Sequence, residues 1–168
     1  MASNPPALHM LCGKIASGKS TLARRLADAD STVLLVEDEW LKPLFGDELE
    51  KLEEYARCTR KLRAAMAPHV SALLNANVSV VLDFAANTPG QRAWMRGLLD
   101  ASGAAHLMHV LNVSDARCLA RLRARNAKGK HPFAVTEAEF DAFSSHFVRP
   151  TAEEGFDLVN YDEGPLRT

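Results

Sequence analysis

Apolar positions follow two kinds of pattern along this chain of 168 residues. Short apolar runs, some of them β-branched, predict buried strands, and apolar residues three or four positions apart predict helices. The predicted strands cover residues 7–12, 33–36, 78–82, 105–112 and 156–161. The predicted helices cover residues 20–29 and 47–76, a segment opened by Thr88 and Pro89, residues 114–130, and a segment opened by Thr136.

Strands that alternate with helices predict right-handed crossovers and a parallel sheet covered on both faces. Ligands in such sheets bind at the carboxyl ends of the strands. We therefore expect the functional residues in the loops that follow residues 12, 36 and 82 and on the basic helix near residue 120. Within the long helical segment, Pro68 is expected to kink or split the helix.

Composition is that of an ordinary globular protein, with 47% hydrophobic residues, 24% charged residues and a net charge of −1. No apolar run approaches the ~20 residues that a membrane span needs. Residues 1–6 have neither the basic nor the apolar segment of a signal peptide and are expected to form a short frayed arm. Three cysteines, odd in number and far apart, favour reduced thiols over disulfide bonds. We expect a cytoplasmic protein of one domain (1–168), monomeric or homodimeric, with no membrane partner.

The clearest motif is GKIASGKS at residues 13–20, which matches the phosphate-binding P-loop pattern G-x-x-x-x-G-K-[ST]. It lies between a predicted strand and a predicted helix, as a true P-loop does. The backbone N–H groups of such a loop point at the β-phosphate, and the helix N-terminus adds partial positive charge. Lys19 is expected to reach the β- and γ-phosphates, Ser20 to bind Mg²⁺ and Thr21 to contact the α-phosphate. The predicted nucleotide-binding residues of the loop are Gly13, Ala16, Ser17, Gly18, Lys19, Ser20 and Thr21.

Four segments together resemble a family. They are GKSTLA at 18–23, DEW at 38–40, VLD at 81–83 and RLRAR at 121–125. Over about the whole chain the sequence is similar to the small P-loop kinases, a group that includes chloramphenicol phosphotransferase, gluconate kinase, phage polynucleotide kinase and zeta toxin. The resemblance implies an AAA-type ATP-binding domain with a three-layer α/β/α P-loop NTPase fold, a five-stranded parallel sheet of order 2-3-1-4-5, and a helical lid at about 114–135. It also implies ATP and Mg²⁺ as cofactors.

Asp38 is the residue that the resemblance places as catalytic base, since the second strand ends beside the P-loop in this family. Transfer to a hydroxyl needs a group that accepts the proton of the acceptor. Glu37 and Glu39 should point the other way in an extended segment. The alternative is an Asp that caps the next helix. The family often has an arginine three residues further on, where this chain has Leu41, and Lys42 is a partial substitute for it.

Asp83 ends a mostly apolar strand, as the acid of a Walker B segment does. It is a candidate for holding Mg²⁺ through water or for orienting Ser20, and the alternative is an Asp that caps the following turn. Arg60 and Arg92 lie on predicted helices that could frame an acceptor pocket, although solvated helix faces explain them better.

Arginines spaced by four residues mark the predicted lid. Arg117, Arg121 and Arg125 share one helix face, whereas Arg123 points away. The resemblance places Arg121 and Arg125 over the γ-phosphate, where they would stabilise developing charge. The alternative is a basic, solvated helix end favoured by the helix dipole. Arg149, followed by proline, is similar to the segment of the family that lies beside adenine.

Charge differs between the two halves of the expected site. Residues 37–54 hold eight acidic and two basic residues, and residues 112–131 hold six basic residues and one acidic. An acidic rim favours a neutral or cationic acceptor over a nucleic acid. The sequence therefore predicts an ATP-dependent kinase that phosphorylates a hydroxyl of a small metabolite, sugar or antibiotic-like molecule. The alternatives are a polynucleotide 5′-hydroxyl or sugar-nucleotide kinase like zeta toxin, and a non-catalytic nucleotide-binding switch.

Overall fold

The computed structural model describes residues 5–49, 52–129 and 134–162. Three expectations fall partly outside these ranges. They concern residues 1–4 of the N-terminal arm, residues 50–51 of the acidic segment, and residues 130–133 of the predicted lid. The strands are β1 (Ala7–Cys12), β2 (Thr32–Val36), β3 (Ser79–Ala85), β4 (Ala105–Asn112) and β5 (Leu158–Asp162). The helices are α1 (Lys19–Ala27), α2 (Glu37–Phe45), α3 (Leu52–Asn75), α4 (Pro89–Ser102), α5 (Asp115–Lys128) and α6 (Glu137–Ser145), with 3₁₀ turns at Gly46–Glu48 and Ala152–Glu154.

The five strands form one parallel sheet of order β2-β3-β1-β4-β5, which confirms the predicted fold. Side chains that alternate along the strands build a hydrophobic core on each face of the sheet. Leu8 and Met10 pack in the core under α2, α3 and α4. Leu11 packs in the core under α1, α5 and α6. The result is the three-layer α/β/α arrangement, with the carboxyl ends of all five strands at one edge.

The helix predicted over residues 47–76 starts later, at Leu52, after the 3₁₀ turn. The prediction that Pro68 splits it is wrong, because α3 runs uninterrupted through that residue. Pro68 and Ala64 are both exposed, so water can satisfy the Ala64 carbonyl that loses its helical partner. The buried face of α3 is formed by Cys58, Leu62, Met66, Val70 and Leu74.

Strand β3 is longer than its apolar pattern predicted. It continues through Asp83 to Ala85, and Asp83 lies opposite Val36 of β2. Phe84 is buried in the core, which explains why the strand persists past a charged residue. Asp83 therefore lies inside a strand, not at its end.

Helix starts agree well with the caps that the sequence predicted. Thr88 forms a capping box with Gln91, and Thr136 forms one with Glu139. Ser114 caps α5, accepting a hydrogen bond from the Arg117 N–H. These caps satisfy backbone donors that the first helical turn leaves without partners.

In the described ranges, no helix is long and apolar enough to cross a membrane. The thiols of Cys12, Cys58 and Cys118 are buried and form no disulfide bond.

Two histidines and a tyrosine form a hydrogen-bonded chain across β1, β4 and β5. His9 Nδ1 lies 3.0 Å from His109 Nε2, and His109 Nδ1 lies 2.9 Å from the Tyr161 hydroxyl. His109 is only 2% exposed. Burial lowers the pKa of His109 to about 4 and also lowers the pKa of His9 from its ordinary value. The native protein therefore holds both rings neutral at pH 7.

Acidification is expected to destabilise the fold through His109, because the unfolded chain takes up a proton near pH 6.5 and the native state does not. The contribution of neutral, buried His109 to the free energy of unfolding is complete above pH 6.5 and is lost as the pH falls toward 4. Between pH 7 and pH 5 the wild type should lose about 2 kcal/mol more stability than His109→Gln. Urea unfolding at pH 5, 6 and 7 measures the difference. Parallel pH profiles for the two proteins would contradict it.

Candidate active site

The loop between β1 and α1 has the backbone conformation of a phosphate-binding cradle. Ala16 and Gly18 adopt left-handed conformations, with φ of 59° and 106°. At Gly13 a Cβ atom would lie 2.6 Å from Ser17 Oγ and 3.2 Å from Leu111 Cβ, so a larger residue would force these side chains to move. Successive N–H groups turned inward by such conformations form an anion-binding concavity.

Lys19 begins α1 and folds back over this loop. Its Nζ donates hydrogen bonds to the carbonyl oxygens of Gly13, at 2.6 Å, and Lys14, at 2.8 Å. Burial lowers the pKa of Lys19, and the nearby charge of Asp83 opposes that shift. An anion beside the ammonium group would offset its desolvation. The first turn of α1 holds no acidic residue, so its positive dipole end is not neutralised.

Asn87, which the sequence reasoning missed, joins the P-loop to its neighbours. Its Oδ1 accepts a hydrogen bond from the Gly13 N–H at 2.8 Å. Its backbone carbonyl accepts one from the Val148 N–H at 2.9 Å, and its N–H donates to Gln91 Oε1 at 2.8 Å. The sequence held one signal for Asn87: it is a polar residue in the loop after β3, where functional residues were expected.

The expectation that Arg92 lies on a solvated face is wrong. The residue is 1% exposed, and its Nε and Nη2 donate to the Glu154 carboxylate at 2.6 and 2.9 Å. Its Nη1 donates to the carbonyls of Ala86 and Val148 at 3.0 and 2.8 Å. The acidic partner lies far along the chain, so no local pattern reveals it. Arg92 thus fixes the 148–154 segment and does not frame an acceptor pocket. Arg60, by contrast, is exposed as predicted.

Arg149 lies on that fixed segment. Its Nη2 donates to Asn160 Oδ1 at 3.4 Å, and the residue is exposed. Burial raises the pKa of the Cys12 thiol to about 11, and the charges of Arg92, Lys19 and Arg149 oppose the rise. The charge of Arg149 therefore reaches Cys12, the last residue of β1 before the P-loop.

Acidic residues open α2 directly after β2, so Asp38 lies in a first helical turn and not in the extended segment that the sequence predicted. Acidic side chains there face the positive end of the helix dipole. Glu37 is buried, and its carboxylate accepts hydrogen bonds from Arg63 at 2.6 and 3.1 Å. Burial raises the pKa of Glu37 against the opposing effect of Arg63. The Glu37 carboxylate is therefore held by Arg63 of α3.

Arg125 lies close enough to Asp38 and to Lys19 for their charges to interact. Burial lowers the pKa of Arg125, and the charge of Asp38 opposes this. The charge of Arg125 in turn lowers the pKa of Lys19, after burial and the opposing Asp83. Arg125 Nε is buried and has no hydrogen-bond partner in the described part of the chain. Arg125 thus interacts electrostatically with both the Asp38 carboxylate and the P-loop lysine.

The other lid arginines divide into two groups. Arg121 Nη1 donates to the Ser17 carbonyl at 3.0 Å, so this side chain contacts the P-loop backbone. Arg123 points away, as predicted, and pairs with Glu137 at 2.6 and 2.8 Å. Arg121 and Arg125 therefore lie toward the P-loop.

The residues present fit a magnesium ion bound together with a nucleotide. Ser20 is exposed at the start of α1, and Asp83 is half-buried with its charge acting on Lys19. Hydroxyl and carboxylate oxygens are the donors that Mg²⁺ prefers. Within residues 5–49, 52–129 and 134–162, no group of three His, Cys, Asp or Glu side chains is placed to hold a metal alone. A sparse protein donor set is typical of Mg²⁺, which keeps waters and binds substrate phosphates.

Gly13→Ala should weaken ATP binding at least tenfold, or about 1.4 kcal/mol, because the new methyl group would displace Ser17 and distort the cradle. Isothermal titration calorimetry measures the affinity. Gly13→Ala combined with Ser17→Ala removes the 2.6 Å contact and should recover part of the loss. Wild-type affinity in the single variant would show that the close contact does not shape the loop.

Residues 8–150 match the family described as AAA domain. No curated protein sequence matches the chain significantly. Among solved structures, a candidate kinase from Chloroflexus aurantiacus J-10-fl is 22% identical with a TM-score of 0.73, covering 96% of this chain and 90% of its own. The APS kinase CysC of Mycobacterium tuberculosis is 19% identical with a TM-score of 0.64, covering 99% and 92%. A sugar kinase from Janibacter sp. HTCC2649 is 13% identical with a TM-score of 0.64, covering 95% and 86%.

At these identities the structural likeness establishes the fold, and the family match carries the classification. The matched region runs from β1 through α6 and contains the whole P-loop. The chain therefore belongs to the AAA domain family, with the fold of the small P-loop kinases.

Proposed function

We propose that the protein is an ATP-dependent kinase that transfers the γ-phosphate to a hydroxyl group of a small molecule such as a metabolite, a sugar or an antibiotic-like compound. The observation that supports the proposal is that Arg125 interacts electrostatically with both Asp38 and the P-loop lysine. A nucleotide-binding switch needs the phosphate cradle but has no use for a carboxylate placed across from it. A kinase needs both.

On the donor side, the inward-facing N–H groups and Lys19 bind the β- and γ-phosphates, and Thr21 contacts the α-phosphate. Ser20 and Asp83 would hold Mg²⁺, which when bound supplies positive charge that offsets the charge of the phosphates. Arg149, held near the start of the loop, lies on the adenine side. These assignments combine the loop geometry with the resemblance to small P-loop kinases.

On the acceptor side, Asp38 orients the hydroxyl of the acceptor and accepts its proton during transfer. Arg125 stabilises the charge that develops on the transferred phosphoryl group. Arg121 donates to the Ser17 carbonyl and so keeps α5 against the loop. This contact brings Arg125, one helical turn further on, over the same side of the site.

The charge of the acceptor side is smaller than the sequence suggested, because arginines of α3 pair with two of its acids. Arg63 pairs with Glu37, and Arg57 pairs with Glu48 at 2.8 Å. Asp38 and Glu39 add two further acidic side chains in the first turn of α2. The residual negative charge still favours a neutral or cationic acceptor over a polyanion.

Asp38→Asn should leave ATP binding intact and reduce phosphoryl transfer at least a hundredfold, since the amide cannot accept a proton. The shape of the side chain is preserved, so calorimetry should give the wild-type ATP affinity. Transfer from radiolabelled ATP measures the second effect. If transfer continued at the wild-type rate, Asp38 would not be the base.

Lys19→Met should abolish detectable ATP binding and transfer, because a chain of similar length loses the charge that meets the phosphates. Thermal unfolding of the variant checks that the loop is still folded without the contacts to Gly13 and Lys14. An unchanged affinity for ATP would contradict the proposed role of Lys19 in phosphate binding.

A transfer screen with radiolabelled ATP tests the acceptor class. Sugars, nucleosides, aminoglycosides and 5′-hydroxyl oligonucleotides are offered separately, with Asp38→Asn as the matched inactive control. Label on a small molecule supports the proposal. Label on the oligonucleotide would favour the polynucleotide-kinase alternative, and ATP binding without transfer to any class would favour a switch.

A further inference from the structure

Helix α3 contacts the first turn of α2 twice, through two side chains eight residues apart. Arg63 binds Glu37, and the Tyr55 hydroxyl donates a hydrogen bond to Asp38 Oδ1 at 3.2 Å. Eight residues correspond to about 12 Å along a helix, so the two side chains reach the same turn from separate points.

The Arg63 contact is a fixed anchor. Its side chain and that of Glu37 are each 7% exposed. The guanidinium group also donates to the Ala85 carbonyl at 3.3 Å and lies over the rings of Phe84 and Trp94, at 5.7 and 5.2 Å. A buried, bidentate pair of this kind has little freedom to move.

The start of α2 has little support of its own. Val36 at its N-cap position provides no side-chain cap, and Pro43 lies inside a helix of nine residues. A missing cap and an interior proline each weaken a helix. The orientation of its first turn therefore depends on neighbouring elements, chiefly α3 and the buried Leu41.

Tyr55 is half-buried and packs against the core beneath α2. Burial raises the pKa of its hydroxyl, and the charges of Asp38 and Glu37 raise it further. The hydroxyl thus stays protonated and remains a hydrogen-bond donor at every physiological pH.

We propose that Tyr55 is a positioning residue, whose hydroxyl holds Oδ1 of Asp38 and so sets the orientation in which this carboxylate meets the acceptor hydroxyl. The inference rests on the proposed function of Asp38 as base. Tyr55 acts through Asp38, and Arg63 fixes the turn on which Asp38 lies.

The test compares Tyr55→Phe with Thr59→Val. Thr59 lies one turn further along α3, and its Oγ1 is buried without a hydrogen-bond partner in the described residues. Each variant removes one hydroxyl from the same helix and keeps the shape of the side chain. Turnover of radiolabelled ATP to free phosphate is measured with ATP as the only substrate, and titration of the Asp38 carboxyl carbon is followed by NMR, its signal assigned with Asp38→Asn.

Tyr55→Phe should lower kcat about tenfold with an unchanged KM for ATP, and should move the titration midpoint of Asp38 upward by about one pH unit, because the carboxylate loses a hydrogen bond. Thr59→Val should change neither. The proposal fails if Tyr55→Phe leaves kcat or the midpoint at its wild-type value, or if Thr59→Val produces the same changes. Wild-type turnover in Asp38→Asn would instead remove the proposed base, and the role of Tyr55 with it.

Discussion

Backbone N–H groups bind a phosphate strongly only if several of them face one point, and this requires that no side chain occupies the centre of the loop. Gly13 meets that requirement, since a Cβ atom there would meet the side chains of Ser17 and Leu111 and force them to move. The position of the loop then follows from the central place of β1 in the sheet, between β3 and β4. Asp83 and Asn87 reach the loop from β3 because these two strands are neighbours.

Much of the fold was predictable because local apolar patterns specify it. The bounds of β1 and β4 were predicted correctly, as were the caps at Thr88, Ser114 and Thr136. Errors arose where a single residue interrupts a pattern while the structure continues. Asp83 and Pro68 are such residues, and in both cases burial of their neighbours outweighs the local preference of one position.

The P-loop was predictable for a similar reason: its eight residues are contiguous. The surroundings of Asp38 were not, because they depend on side chains of α3. In α3, Ala56 is exposed, whereas Tyr55 and Cys58 face the core. An apolar pattern that includes small residues does not determine which face of a long helix is buried. A search for apolar residues also omits a tyrosine, because its hydroxyl is polar. The pairing of acids with arginines on the following helix is equally invisible in net charge.

Two consecutive carbonyls at the end of β3 each accept a hydrogen bond from a buried arginine. Ala85 accepts from Arg63, which holds the turn bearing Asp38, and Ala86 accepts from Arg92, which holds the segment bearing Arg149. The two carbonyls belong to adjoining planar peptide units, so one short stretch of backbone is a common reference for both halves of the site. In-line transfer tolerates little error in the angle between attacking and leaving oxygens. For the proposed kinase, that angle depends on the conformation of this stretch.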